Sequence, residues 1–198
     1  MNIRNLTEKS IIYTSNAWLC NCDKPEKWCK ILIDTGCDIL AIDELREIKK
    51  RTGRTPLNHV ILTHNHYDHA QLLCAIKREY EPVIHASSSY TQGVDHVLND
   101  GDVITCGSFH FEIIAIPGHT SDSVCIYCPE EEVLFSGDTP INIWGSDNTY
   151  EQSFVRGFEI LSKKKIRAIY PGHGEVIHSD IPGIIRQSLI NLKNSRII

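Results

Sequence analysis

The segment Thr63-His64-Asn65-His66-Tyr67-Asp68-His69 places four metal-capable side chains within six residues, directly after a short apolar run. In extended backbone alternate side chains share a side, so His64 and His66 address one ion. Asp68 and His69 open the next helix, where the chain changes direction and aims them at a second ion beside the first. Three further segments repeat one design: Ile116-Pro117-Gly118-His119, Phe135-Ser136-Gly137-Asp138 and Tyr170-Pro171-Gly172-His173. Each is a strand end, a glycine that permits a sharp turn and close backbone approach, and then a candidate ligand held by the packed strand.

Imidazoles and carboxylates without thiolate suit zinc first, with iron or manganese as alternatives. The expected division gives His64, His66 and His119 to one ion, Asp68, His69 and His173 to the other, and Asp138 as the bridge. Seven ligands on two ions leave coordination positions open, as catalysis requires and a structural site does not. Such a pair lowers the pKa of water from about 15.7 to about 7, which makes hydroxide available to attack a carbonyl. In that reaction Asp68 orients the nucleophile or passes on its proton. Taken singly, a histidine next to glycine is usually a loop residue and an Asp a turn cap. Seven in this order and context are not explained that way.

These ligands need a frame of strands that end at one rim. Strands are expected at Ser10 to Leu19, Cys29 to Ile33, Val60 to Leu62, Val83 to His85, Val103 to Cys106, Phe109 to Ile116, Val124 to Tyr127, Val133 to Phe135 and Ile166 to Tyr170. The first two form a hairpin across Asp23-Lys24-Pro25-Glu26. Helices are expected at Ile42 to Thr52, Asp68 to Tyr80, Tyr150 to Leu161 and Pro182 to Leu192, the last begun by proline in its first turn. Hairpins and strand-helix units in both halves predict two packed sheets covered by helices, in one domain over residues 1–198.

The composition agrees with a compact fold, with 41% hydrophobic and 23% charged residues. A net charge of -5 without a long basic stripe argues against nucleic acid as a partner. The runs Lys49-Lys50-Arg51 and Lys163-Lys164-Lys165 fall where helices should end, and there cations complement the helix dipole. Met1 to Ser10 is polar, and no stretch approaches the roughly 20 apolar residues of a bilayer span. The expectation is a cytoplasmic protein with a small-molecule substrate and no membrane partner; oligomeric state stays open. The eight cysteines are then expected to be reduced, small buried side chains, with Cys20 and Cys29 facing each other across the hairpin. Cys125-x-x-Cys128 is a weak metal signal.

The pattern His64-x-His66-x-Asp68-His69, followed by Gly118-His119, Gly137-Asp138 and Gly172-His173, resembles the metallo-β-lactamase-fold superfamily. Asn16 to Leu19 and Ile33-Asp34-Thr35-Gly36 resemble its opening hairpin, so the likeness runs from about residue 10 to 178. The resemblance implies an αββα sandwich, two mixed sheets flanked by helices in the α/β (α+β) class, with metals at one edge. It also implies that Asp34 supports a ligand loop from behind. True β-lactamases of the family commonly carry cysteine where this chain has Asp138, and the Asp-containing set is closer to the glyoxalase II and lactonase branches. A small ester, thioester or lactone is the expected substrate class. Glyoxalase II proper adds a helical domain for which few residues follow His178, and Ala70-Gln71 stands where many relatives have a glycine pair. Rival readings are a mononuclear-iron, persulfide dioxygenase-like oxidoreductase using a subset of these ligands, and a non-catalytic metal-bound sensor. Trp144, Tyr150 and Arg156, after the Asp138 loop, are candidates to line a substrate pocket.

Overall fold

A computed structural model describes residues 1–22 and 28–198. The first sheet is laid down in chain order: β1 (Asn2–Asn5), β2 (Trp18–Asn21), β3 (Lys30–Ile33), β4 (His59–Ile61), β5 (Val83–Ala86) and β6 (His96–Val97). β1, β2 and β3 pair antiparallel, and β3 through β6 run parallel. Parallel neighbours need crossovers; α1 (Leu40–Thr52) supplies the one from β3 to β4, α2 (Tyr67–Ala70) and α3 (Leu73–Tyr80) the one from β4 to β5, and a helix-free segment links β5 to β6. The second sheet contains β7 (Val103–Cys106), β8 (Phe109–Ala115), β9 (Val124–Cys128), β10 (Val133–Gly137) and, beyond the short β11 (Thr149–Tyr150) and α4 (Gln152–Leu161), β12 (Ala168–Pro171). Its order is β12-β10-β9-β8-β7, antiparallel except for β10 with β12. α5 (Ile181–Asn194) and β13 (Arg196–Ile197) follow, and β13 pairs parallel with β11.

Burial separates the core into three layers. Ile42, Leu45 and Ile48 of α1 and Ile76 of α3 pack on Val60, Leu62 and Ile84, the outer face of the first sheet. Ile31, Ile33 and Ile61 meet Phe111, Ile113, Ile126 and Phe135 between the sheets. Phe154, Phe158 and Leu161 of α4 and Ile185 and Leu192 of α5 cover Ile114, Cys125 and Leu134 on the far side. Helix, sheet, sheet, helix is the αββα sandwich expected from the sequence. α1 stops where Gly53 takes a left-handed φ of 65° and donates its N–H to Lys49 O, just after the basic run whose charges suit that end.

Several boundaries differ from expectation. Residues 10–17 are not a strand, and Ile11 and Tyr13 stand 98% and 75% exposed. The helix expected from Asp68 to Tyr80 is broken at Gln71-Leu72 into α2 and α3. The hairpin turn at Asp23 to Glu26 lies outside the described residues. The cysteine expectation is corrected: Cys29 and Cys106 form a disulfide between the two sheets, with Cα atoms 5.5 Å apart and a sequence separation of 77. Cys20 faces Ile31 across the hairpin rather than Cys29. Cys125 and Cys128, three apart on β9, point into different core layers and share no ligand site.

Candidate metal centre

β4 passes through Leu62 and Thr63 into His64, which is buried, while His66 stands exposed in extended backbone at the head of α2. Asp68 and the buried His69 lie within α2. β8, β10 and β12 all point at the same edge of the sandwich, because β9 reverses between β8 and β10 and β12 is parallel to β10. Their ends deliver His119, Asp138 and His173. All seven candidate ligands are therefore brought to one rim.

Three groups of donor atoms lie mutually within 4.8 Å: His64, His66 and His119; His64, His69 and Asp138; and Asp68, His69 and His173. His119 Nε2 is 3.0 Å from His66 Nδ1, and His173 Nε2 is 3.0 Å from Asp68 Oδ2. Asp138 stands between them, with Oδ1 3.3 Å from His69 Nε2 and Oδ2 3.5 and 3.6 Å from His119 and His173 Nε2. Two atoms each about 2.1 Å from a tetrahedral ion lie about 3.4 Å apart, so these separations match the edges of metal polyhedra.

A test of fit comes from the polar atoms themselves. His64 Nε2, His69 Nε2 and Asp138 Oδ1 are buried without a hydrogen-bond partner, and each such orphan costs about 1–3 kcal/mol unless something binds it. All three belong to one donor group, which a divalent cation satisfies. Burial and the neighbouring His69 pull the pKa of His64 down to about 4, so at pH 7 it is neutral with a lone pair to donate. Burial alone would raise the Asp138 pKa, but His69, whose Nε2 is 3.3 Å away, and the charges of His173 and His64 outweigh it and hold the carboxylate at about 2. Burial also opposes charge on His69, yet Asp34 and Asp138 prevail and push it up to about 10. Asp34 and Asp138 thus set a negative potential at His69, where a cation would take the place of the ring's second proton.

The profile of the metallo-beta-lactamase superfamily matches residues 16–90 and 75–173. The chain belongs to this superfamily. It is 34% identical over 131 residues to a hydroxyacylglutathione hydrolase of Brucella anthropi, covering 63% of this chain and 50% of that protein. It is 29% identical over 161 residues to an atrochrysone carboxyl ACP thioesterase of Cryptosporiopsis sp., covering 81% and 50%. The chain spans about half the length of these curated relatives. In fold it is similar to ETHE1 from Myxococcus xanthus, with a TM-score of 0.69 at 20% identity, covering 98% of this chain and 91% of the other.

In this superfamily member the rim is braced from behind. Asp34, buried and at a left-handed φ of 57°, accepts from His69 Nδ1 at 2.7 Å, from Thr63 Oγ1 at 2.8 Å and from Thr63 N at 2.8 Å. One carboxylate thus fixes the strand end before His64 and turns His69 Nε2 toward the centre. The His173 loop is tied down by Asn16, whose Nδ2 donates to Pro171 O and Gly174 O, and by Trp18 Nε1, which also donates to Pro171 O. Gly172 has no room for a side chain: a Cβ there would sit 2.2 Å from Asp138 Oδ1. Sequence reasoning missed Tyr13, whose ring stacks on His173 at 4.9 Å; an isolated tyrosine in an irregular segment carries no periodic signal.

A cavity of about 530 Å³ opens beside His119 and Asp138, with Tyr150, Phe154 and Ile198 in its wall. Of the three pocket candidates only Tyr150 lines it. Trp144 is 80% exposed, and Arg156 lies on the exposed face of α4, two residues from the inward Phe154. A separate cavity beside His66 is lined by Asn65, Ser87, Ser88, Ser89, Tyr90, Ser121 and Asp122. His59 and His85 sit apart from the centre, paired by ring nitrogens 3.2 Å apart. No helix among the described residues is long and apolar enough to cross a membrane.

Proposed function

We propose that this member of the superfamily is a metallohydrolase of small esters, thioesters or lactones that works with two divalent ions, zinc above iron or manganese. The observation that carries the reading is the convergence of three partnerless donor atoms at the junction of two further donor groups, in a rim open to solvent through His66 and His119. His64, His66 and His119 would hold one ion, Asp68, His69 and His173 the other, and Asp138 would bridge them. When bound, the ions supply Lewis acidity toward a carbonyl oxygen and a water of lowered pKa.

The side chains do the rest. Asp68, only 13% exposed and 3.0 Å from His173 Nε2, would orient the attacking water and accept its proton. Asp138 stays ionised throughout, because its pKa of about 2 lies far below the working range. Asp34 keeps His69 from rotating as charge builds on the substrate. The relatives named for thioester hydrolysis support a carbonyl substrate, since a thioester and an ester present the same electrophile.

The deciding experiment is metal analysis of protein purified without added metal, followed by hydrolysis assays on an ester, thioester and lactone panel. Two zinc ions per chain and turnover of at least one class are expected. One iron per chain, with oxygen consumed and no hydrolysis, would replace this reading by the one-metal oxidoreductase.

A further inference from the structure

The cavity beside His119 has walls of a different chemistry from the rest of the rim. Tyr150 and Phe154 stack at 5.4 Å with planes 10° apart, and Pro140 and Ile198 complete an apolar surface that runs up to His119 and Asp138. Backbone hydrogen bonds tie one edge of this surface in place. Ile198 donates its N–H to Tyr150 O at 3.0 Å and accepts from Gln152 N at 3.1 Å, so the β11–β13 pair fixes it. Phe154 is pressed against the ligand loop, because a Cβ on Gly118 would lie 2.5 Å from its ring. Among the described residues no lysine or arginine lines this cavity, and Glu151 stands in its wall, so a terminal carboxylate is disfavoured there. The separate cavity beside His66 is polar instead, lined by Asn65, the hydroxyls of Ser87, Ser88, Ser89 and Ser121, Tyr90 and the carboxylate of Asp122.

The geometry points to an acyl-binding pocket: the substrate places an uncharged apolar acyl chain against Tyr150, Phe154 and Ile198, its carbonyl at the His119–Asp138 junction, and its polar leaving portion toward Ser87–Ser89. This rests on the hydrolase reading and narrows it to esters or thioesters of medium-chain apolar acids. The carbonyl carbon gains the water oxygen, the carbon–oxygen or carbon–sulfur bond breaks, and the alcohol or thiol leaves with the water's proton. Each methylene buried is worth about a three- to fourfold change in kcat/KM, and a pocket half open to solvent returns less than that.

Acetyl, butanoyl, hexanoyl and succinyl thioesters of one small thiol should be compared on the metal-loaded chain, alongside Ile198→Trp, which fills the cavity, and Tyr150→Ala, which removes a wall. Hexanoyl should exceed acetyl by about tenfold or more in kcat/KM, succinyl should fall below butanoyl, and both variants should shrink the hexanoyl-to-acetyl ratio. Calorimetric titration with hexanoate and acetate tests the pocket without turnover. Tighter hexanoate binding that Ile198→Trp abolishes, with no hydrolysis of any thioester, would keep the pocket and sink the hydrolase reading. Hydrolysis indifferent to chain length, in wild type and variants alike, would keep the hydrolase and overturn the pocket. Circular dichroism and metal content of each variant separate loss of the pocket from loss of the fold.

Discussion

The carboxylate of Asp34 reaches His69 Nδ1 at 2.7 Å and both the backbone N–H and hydroxyl of Thr63 at 2.8 Å. It therefore governs two ligand segments at once. Asp34→Asn keeps an acceptor and tolerates the left-handed backbone, but its amide cannot accept from all three donors. Zinc affinity, measured by competition with a chromophoric chelator, should fall about 10- to 100-fold. An unchanged affinity would show that the packed strands alone orient His69.

Gly172 offers a steric test of the same centre. An added Cβ would lie only 2.2 Å from Asp138 Oδ1 and 2.7 Å from His69 Cε1, so Gly172→Ala must displace one of these candidate ligands. Loss of at least one metal per chain is expected, with far-ultraviolet circular dichroism little changed, because the nearest strand atom outside its chain neighbours is the backbone carbon of Gly137 at the end of β10, at 3.0 Å. Full metal content and wild-type kinetics in this variant would refute the crowding.

Acid stability should report on His85. Burial first, then the charges of His59 and His96, pull its pKa down to about 4, with Asp95 opposing. The unfolded chain, with an ordinary pKa near 6.5, takes up the proton sooner, so stability is full above about pH 6.5 and declines as the pH falls toward 4. The loss amounts to at most about 3 kcal/mol. The urea midpoint should drop between pH 7 and pH 5 by more in the wild type than in His85→Gln, since the ligand histidines contribute alike to both. Parallel pH profiles in the two proteins would exclude this role for His85.

The convergence of the seven candidate ligands was readable because each follows a strand that ends in glycine or a bend, so type, order and local context coincide. α1 was readable because Ile42, Leu45 and Ile48 mark one helical stripe. β1 was not: Asn2–Asn5 alternates exposed with half-buried and becomes a strand only through its pairing with β2. Residues 10–17 misled in the opposite sense, since Ile11, Ile12 and Tyr13 are apolar yet exposed beside the rim. The Cys29–Cys106 bond joins positions 77 apart on different sheets, and only the sandwich brings them together. The pocket depends on Ile198 meeting Tyr150 through a two-residue pairing, which no local pattern announces.

Each of the three donor groups draws two members from the segment 64–69 and one from a loop of the second sheet. Neither half of the polypeptide carries a full triad by itself. A cation at this rim is accordingly a clasp across the sandwich, held firmly only once both sheets have docked, and a chain emerging during synthesis keeps its high-affinity grip on metal in reserve until residue 119 or beyond has joined the fold.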